Sequence, residues 1–334
     1  MILVTGGTGL VGSHLLYKLT NSHQKIRALY RCIETLEKVK KLFSYYTDNM
    51  EAPFEKIEWI KADLNDVAAL SEAFDGITYV YHCAALISFN PNAYESLKKT
   101  NIEGTANIVN LCISHSVKKL CYVSSVATMG YDPIKITENT IWNAGDIQNV
   151  YAITKYTAER EVWRGTQEGV PSVIVNPAVV LGPGFFNSGS GLIFKAIYKG
   201  LRFTTEGVTG YVNVNDVVKS MELLMNGDYK NERYILVGES LSFKKLSELI
   251  SDSLRVQAPK TIAKDWMLSI AWRLDWLAHF LMGRKRRLTK NLCKTLNNKN
   301  HYSSEKFLKT ENNFKFTSIS KTIAEICQAF LQEF

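Results

Sequence analysis

The chain has 334 residues, 46% of them hydrophobic, with a formal net charge of +8 and a pI of about 9.0. That length excludes a fold too small for a core of its own and suits one large core, or one core with a smaller lobe. The moderate positive excess fits an ordinary basic protein or one that handles phosphorylated anions, and no nucleic-acid partner is expected.

In chain order, the apolar run Ile2–Val4 predicts a strand that enters the turn Thr5-Gly6-Gly7-Thr8-Gly9-Leu10-Val11-Gly12 and a helix over about 10–21. Further strands are expected at Ile26–Tyr30, Ile57–Lys61, Tyr79–Cys83, Lys119–Val123 and Ser172–Val175. Helical patterns lie at about 66–73, 93–116 and 150–168. Most of these strands are short and apolar without strict alternation, as strands buried on both faces are. After Pro177 come two loop-forming stretches, 181–184 and 187–191, which break this rhythm. Segment 211–225 predicts a short strand entering a helix with Asp216 as N-cap, and Arg233–Val237 a late strand returning to the sheet. Residues 241–334 read as mainly helical and more basic.

The βαβα rhythm predicts an α/β fold, a doubly wound parallel Rossmann sheet with a smaller, mainly helical C-terminal substrate lobe. The dinucleotide domain is expected over 1–180, with 211–238 returning to it. The substrate lobe takes 181–210 and 239–334. Right-handed crossovers place every strand's C-terminal end on one edge, where ligands bind.

The glycines answer a steric problem at that edge. Side chains at Gly6, Gly9 and Gly12 would obstruct the turn, the approach of a pyrophosphate or the helix–strand contact. The helix N-terminus offers N–H groups and partial positive charge to the anion. Arg31 follows the second strand, where an acid would bind the 2′-hydroxyl of NAD; an arginine there pairs with the 2′-phosphate of NADP. NADP(H) is therefore favoured over NAD(H). Asp63, after the third strand, is expected to accept from the adenine amino group, to cap the next helix, or both.

Tyr151 and Lys155 stand four apart in a helical segment and share a face. A free phenol, with a pKa of about 10, is a poor base at neutral pH. The Lys155 ammonium and an oxidised nicotinamide would stabilise its phenolate, so Tyr151 could pass a proton to or from a substrate oxygen. Ser125, next to Ser124 at the end of Lys119–Val123, is the second donor that would polarise a carbonyl.

With these residues in hand, the chain resembles the extended short-chain dehydrogenase/reductase family, also described as NAD-dependent epimerase/dehydratase-like. The nearer likeness is to its dihydroflavonol-reductase-like and 3β-hydroxysteroid-dehydrogenase-like members. The matching stretches are Thr5–Gly12, Ala62-Asp63-Leu64, His82-Cys83-Ala84-Ala85, Thr100–Thr105, Val123-Ser124-Ser125, Tyr151–Lys155 and Asn176–Gly184. The resemblance implies a catalytic set of Ser125, Tyr151 and Lys155, with Lys155 also on the nicotinamide ribose. It implies cofactor contacts from Thr5, Gly6, Gly9, Leu10, Val11, Gly12, Asp63, Leu64, Ala84, Ala85, Tyr151 and Lys155. Asn101 would fix the segment beside the nicotinamide, and Asn176 and Pro177 would flank the carboxamide. The chain departs from the family at two points: Tyr30 stands where many NAD-using epimerases carry an acid, and Asn176 where many relatives carry arginine.

Three functions compete. The leading one is an NADP(H)-dependent oxidoreductase acting on a small, fairly apolar secondary alcohol or its carbonyl form. The others are a nucleotide-sugar epimerase or dehydratase holding NAD tightly, and an NADP-binding redox sensor. The six cysteines (Cys32, Cys83, Cys112, Cys121, Cys293, Cys327) show no CxxC and no metal spacing, so a reduced, cytoplasmic setting without metal is expected. The N-terminus carries no signal-peptide pattern. His82, His115 and His279 each stand alone and read as structural. Segment 264–290 pairs an apolar run, interrupted by charges, with a basic cluster. It reads as a lid or core packing of the lobe in preference to a membrane-surface helix. Oligomeric state is open between monomer and homodimer, with 93–116 offering a partner face.

Overall fold

The chain is described by a computed structural model over residues 1–21, 25–143, 149–282, 293 and 296–334. Helices covering both faces of a parallel sheet leave its strands no polar side. Ile2–Thr5 (β1) is accordingly buried along its whole length. It turns into Leu10–Leu19 (α1), followed by Ile26–Tyr30 (β2), Glu34–Phe43 (α2), Glu51–Glu55 (α3) and Ile57–Lys61 (β3). Val67–Ala73 (α4), Tyr79–His82 (β4), Tyr94–Leu97 (α5), Gly104–Ser114 (α6), Lys119–Val123 (β5), Val150–Gln167 (α7) and Ser172–Pro177 (β6) complete the regular alternation.

The second half adds Val179–Leu181 (β7), Gly191–Tyr198 (α8), Phe203–Thr204 (β8), Val208–Asn213 (β9), Val214–Asn226 (α9) and Glu232–Leu236 (β10). Glu239–Ser242 (β11), Phe243–Leu254 (α10), Thr261–Ile262 (β12), Asp265–Met282 (α11), Glu305–Thr310 (α12) and Ile319–Glu333 (α13) follow.

The main sheet runs β10-β6-β5-β4-β1-β2-β3, and every neighbouring pair is parallel. The chain winds outward from β1 to β3, then crosses back to β4 on the other side of β1. That reversal opens a crevice at the C-terminal ends of β1 and β4. One apolar layer, with Leu16, Val39, Phe43, Val217 and Met221, packs one sheet face. Another, with Leu70, Phe74, Ile108, Ala158 and Val162, packs the opposite face. A third core, including Phe186, Phe194, Leu246, Ile250, Ile323 and Phe330, joins α8, α10 and α13 to the small sheet β11-β9-β7.

Three local expectations change. The N-cap of α9 is Asn213, whose side chain accepts from Asn215 N–H, because the chain leaves β9 there in extended conformation. Asp216 lies inside the helix and accepts from the Thr317 N–H at 2.7 Å and hydroxyl at 3.1 Å. Likewise Asp66, not Asp63, caps α4, accepting from Ala69 N–H at 3.1 Å. The stretch 93–116 is not one helix: α5 passes through a π-helical turn at Lys98–Glu103 before α6 begins. Among the described residues, no helix is long and apolar enough to cross a membrane.

Candidate active site

The sequence-chosen residues collect where the main sheet ends. Thr5 closes β1, Arg31 and Asp63 follow β2 and β3, Ala84 and Ala85 follow β4, Ser125 follows β5, and Asn176 and Pro177 close β6. The helix α7 brings Tyr151 and Lys155 to the same edge.

The turn after β1 meets the demands of a pyrophosphate cradle. Gly6 has φ +69°, and a Cβ there would sit 2.5 Å from the Ala84 nitrogen. At Gly12 a Cβ would lie 2.2 Å from the Gly6 carbonyl oxygen, so α1 can follow β1 this closely only with glycine. Gly9 is different: its nearest neighbour would be Gly6 O at 3.4 Å. Protein packing does not require glycine at Gly9, which leaves open space on that side of the turn. In the first turn of α1 the N–H groups of Leu10, Val11 and Gly12 have no intrahelical acceptor, as helix geometry dictates. These features fit a dinucleotide. Leu64 lies buried against Gly104.

Arg31 lies 3.7 Å from the Asp63 carboxylate, both side chains well exposed. Burial works to raise the Asp63 carboxyl, but hydrogen bonds from Asn65 and the Arg31 guanidinium hold it below the ordinary value. This pair marks the rim beside β2 and β3, where the adenosine end of a dinucleotide sits in such folds.

Deeper in the crevice, the Asn149 side chain caps α7 by accepting from Ala152 N–H at 2.8 Å. Tyr151 follows one residue into the helix. Burial pushes its phenol up to about 12, opposed by a hydrogen bond with the Ser125 side chain. Ser125 Oγ accepts from Ala127 N–H at 3.2 Å, which leaves its own hydrogen to donate. The neighbouring Ser124 hydroxyl is committed elsewhere, donating to Glu159 at 2.6 Å. Phe89 meets the Tyr151 ring edge-on, with centroids 5.8 Å apart.

Lys155 is buried at 1% exposure. Its ammonium donates to the Tyr122 hydroxyl at 2.6 Å and the Val123 carbonyl at 2.9 Å, and lies 4.2 Å from the Tyr122 ring centre. Burial lowers its pKa to about 7, while Glu159 and Cys83 act to raise it. The shared helical face is therefore present, but the lysine charge is anchored on β5 rather than on the Tyr151 phenol. Two of its three N–H donors are engaged, leaving one for a ligand oxygen.

Behind it runs a buried chain. Thr5 Oγ1 meets His82 Nδ1 at 2.6 Å, and His82 Nε2 meets Thr105 Oγ1 at 2.9 Å. Burial, then the Lys155 charge, lowers His82 to about 3, so the ring is neutral at physiological pH. Asn101, in the π-helical turn, accepts from Leu86 N–H at 2.7 Å and donates to Leu86 O at 3.0 Å and Thr154 Oγ1 at 3.2 Å. It thereby ties the segment after β4 to α7, a use in keeping with a π-turn at a functional edge.

Asn176 donates to Glu159 at 2.9 Å, Thr128 at 3.0 Å and Ser125 O at 3.2 Å. Its Oδ1 is buried with no partner, an acceptor suited to a carboxamide N–H. Glu159 was not singled out in the sequence, yet it gathers Ser124, Thr128, Asn176 and Arg233 on one buried carboxylate. Phe89 and Tyr122 were missed as well. Glu159 stands four residues beyond Lys155, and that continuation of the Tyr151–Lys155 face was the available signal.

A doubly wound sheet with a glycine-rich turn after its first strand and a tyrosine–lysine helix at its ligand edge defines the class: an NAD(P)-dependent oxidoreductase. More narrowly, the chain belongs to the NAD dependent epimerase/dehydratase family, whose sequence profile matches residues 2–236. It is 30% identical to a putative dihydroflavonol 4-reductase of Synechocystis sp. over 288 residues, covering 80% of this chain and 77% of that one. A tetraketide alpha-pyrone reductase 2 of Arabidopsis thaliana is 28% identical, with 74% and 81% covered. Among solved structures, gox2253 superimposes with a TM-score of 0.81 at 26% identity, covering 100% of this chain and 98% of that one.

Proposed function

We propose that this protein is an NADP(H)-dependent reductase that moves hydride between nicotinamide and a small, fairly apolar carbonyl compound or its secondary alcohol. The observation that carries the reading is the Tyr151 phenol, buried at the ligand edge of the sheet, eased by the Ser125 side chain and faced by Phe89. The reductase names of the two curated relatives point the same way.

When bound, the cofactor supplies or accepts the hydride. Thr5, Gly6, Gly9, Leu10, Val11 and Gly12 would hold its pyrophosphate side, with Leu64, Ala84 and Ala85 along the crevice wall. The third Lys155 N–H would take a ribose hydroxyl, and Asn176 Oδ1, beside Pro177, a carboxamide N–H. In the reducing direction Tyr151 Oη gives its proton to the substrate oxygen, while the Ser125 hydroxyl donates a hydrogen bond to that oxygen. Phe89 supplies an apolar wall and keeps water from the phenol. The six unpaired cysteines suit a reducing, cytoplasmic setting.

The test is to mix the purified chain with NADPH and a panel of aldehydes and ketones and to follow loss of reduced cofactor. Consumption on at least one apolar carbonyl supports the proposal. Tightly held NAD with conversion of a nucleotide sugar without net redox would overturn it, as would cofactor binding without turnover on any class.

Cofactor choice is tested separately through Arg31. One charged hydrogen-bonding partner of a phosphate contributes about 1.5–3 kcal/mol, so Arg31→Ala should weaken NADPH roughly ten- to hundredfold and leave NADH nearly unchanged. Calorimetric titration with both cofactors reads this directly. An unchanged NADPH/NADH ratio would remove the NADP assignment.

A further inference from the structure

A row of polar side chains crosses the main sheet at its ligand edge. Thr5, His82 and Tyr122 are register partners on β1, β4 and β5, so their side chains share one face. All three are fully buried, in a layer where Leu3, Val80 and Leu120 are apolar. Hydrogen bonds tie His82 to Thr5 at 2.6 Å and to Thr105 of α6 at 2.9 Å, which occupies both ring nitrogens. The ring so fixed stacks on Tyr122, with centroids 5.4 Å apart and planes inclined by 27°. The Tyr122 hydroxyl then accepts from the Lys155 ammonium at 2.6 Å. The helix α11 is different: its Leu268 joins only a small separate cluster, and the basic run 284–290 that follows lies outside the described residues.

Stability alone does not select this row. Buried polar groups cost free energy unless they are paired, and apolar residues would fill the layer without that condition. Phenylalanine at 122 would keep the ring and its stacking on His82, but it could not accept from Lys155. The Val123 carbonyl, at 2.9 Å, would then hold the ammonium without the hydroxyl. Lysine has a long flexible stem, and a single acceptor leaves its end free to swing. Two acceptors pin it and so fix where the third N–H points.

The geometry points to Tyr122 as a positioning residue: braced by His82, its hydroxyl aims the third Lys155 N–H at the nicotinamide ribose. The inference rests on the cofactor reading of the crevice given above. Thr105 supports the arrangement from α6, since its side chain acts on the Tyr122 phenol against the effect of burial. Thr5 opens the glycine turn, so the row joins the pyrophosphate end of the site to the ribose end.

The test compares the full chain with Tyr122→Phe through two readouts that need no turnover. Calorimetric titration sets NADPH and NADH against ADP and its 2′-phosphorylated form, which lack the nicotinamide ribose. The variant should bind the preferred dinucleotide about tenfold or more weakly, and the two fragments as the wild type does. Nuclear magnetic resonance of nitrogen-labelled lysine, assigned by difference from Lys155→Met, follows Lys155 protonation without cofactor. Losing an acceptor disfavours the ammonium, so its midpoint should fall below the wild-type value of about 7. Among the described residues, the other titratable groups that bear on it are Glu159 on α7, and His82 and Cys83 at the end of β4, while Tyr151 acts on Tyr122 itself. All are the same in both proteins. The ring is kept, so the variant should fold. Should it melt early, Thr105→Val, which frees the His82 brace, should move both readouts the same way, and Thr105→Ser should restore them. Unchanged dinucleotide affinity, fragments weakened as much as the dinucleotide, or an unmoved Lys155 midpoint in the folded variants would overturn the inference. Both shifts in a protein that reduces no carbonyl would remove the reductase proposal alone.

Discussion

Tyr151→Phe should lower kcat on any carbonyl substrate by about 10²–10⁴-fold, the usual contribution of a positioned acid. Cofactor affinity should change little, because the ring and its contact with Phe89 remain. The loss falls on kcat, and on kcat/KM equally, as removal of an interaction made only in the transition state requires. The phenol's position also sets the pH response. Held near about 12, it is protonated throughout the neutral range and ready to act as an acid. Reduction should then be nearly flat in pH on account of this group. Alcohol oxidation must begin from the phenolate, so its rate should rise with pH, with a limb below that value because bound oxidised nicotinamide stabilises the phenolate. Initial rates in both directions over neutral to alkaline pH measure this. Turnover of Tyr151→Phe within tenfold of wild type would show that the proton comes from elsewhere.

The crevice was legible because its parts obey local rules. The turn at Gly6 and Gly12 is dictated by backbone contact, and contact with Ala84 and with the turn's own carbonyl explains both. Most of the strands β1 to β6 were legible as short apolar runs, since burial on both faces removes alternation; the edge strand β3 instead exposes Glu58 and Lys61. The capping role offered for Asp63 and for Asp216 failed for a single reason. Each is a good capping residue near a helix start, but Asp66 and Asn213 occupy the position where the backbone turns. A shift of three residues cannot be seen from composition.

The π-helical turn at Lys98–Glu103 was hidden because it depends on a tertiary contact. Asn101 is drawn to the Leu86 backbone and Thr154, and the helix widens to let it reach. The small strands β7 and β11 were equally hidden, and only the end of β9 was read, as the short strand opening 211–225; the three pair across a loop and a helix. Lys155 shows the limit of helical spacing. Four residues put it on the Tyr151 face, but Tyr122 and Val123 determine where its charge goes.

Glu159 extends that lesson into the second large effect. Its carboxylate is buried and accepts from Ser124, Thr128 and Asn176 on one oxygen and from Arg233, at 3.0 Å, on the other. Removing one partner of a buried pair leaves an uncompensated charge, so Glu159→Leu should cost about 3–5 kcal/mol in chemical denaturation. The loop bearing Ser125 would lose its tie to α7 in the same step. The milder Glu159→Gln preserves shape and isolates the charge. Glu159 acts to raise the Lys155 pKa, which burial has brought to about 7. Without that negative charge the ammonium is less stable and loses its proton at lower pH. The alkaline limb of kcat/KM should therefore move to lower pH in Glu159→Gln, with little change in protein fold. Glu159→Asp, which restores the charge, should bring the limb back even if its shorter reach lowers kcat. A merely structural carboxylate would change stability in all three variants and leave the limb where it stands in the wild type.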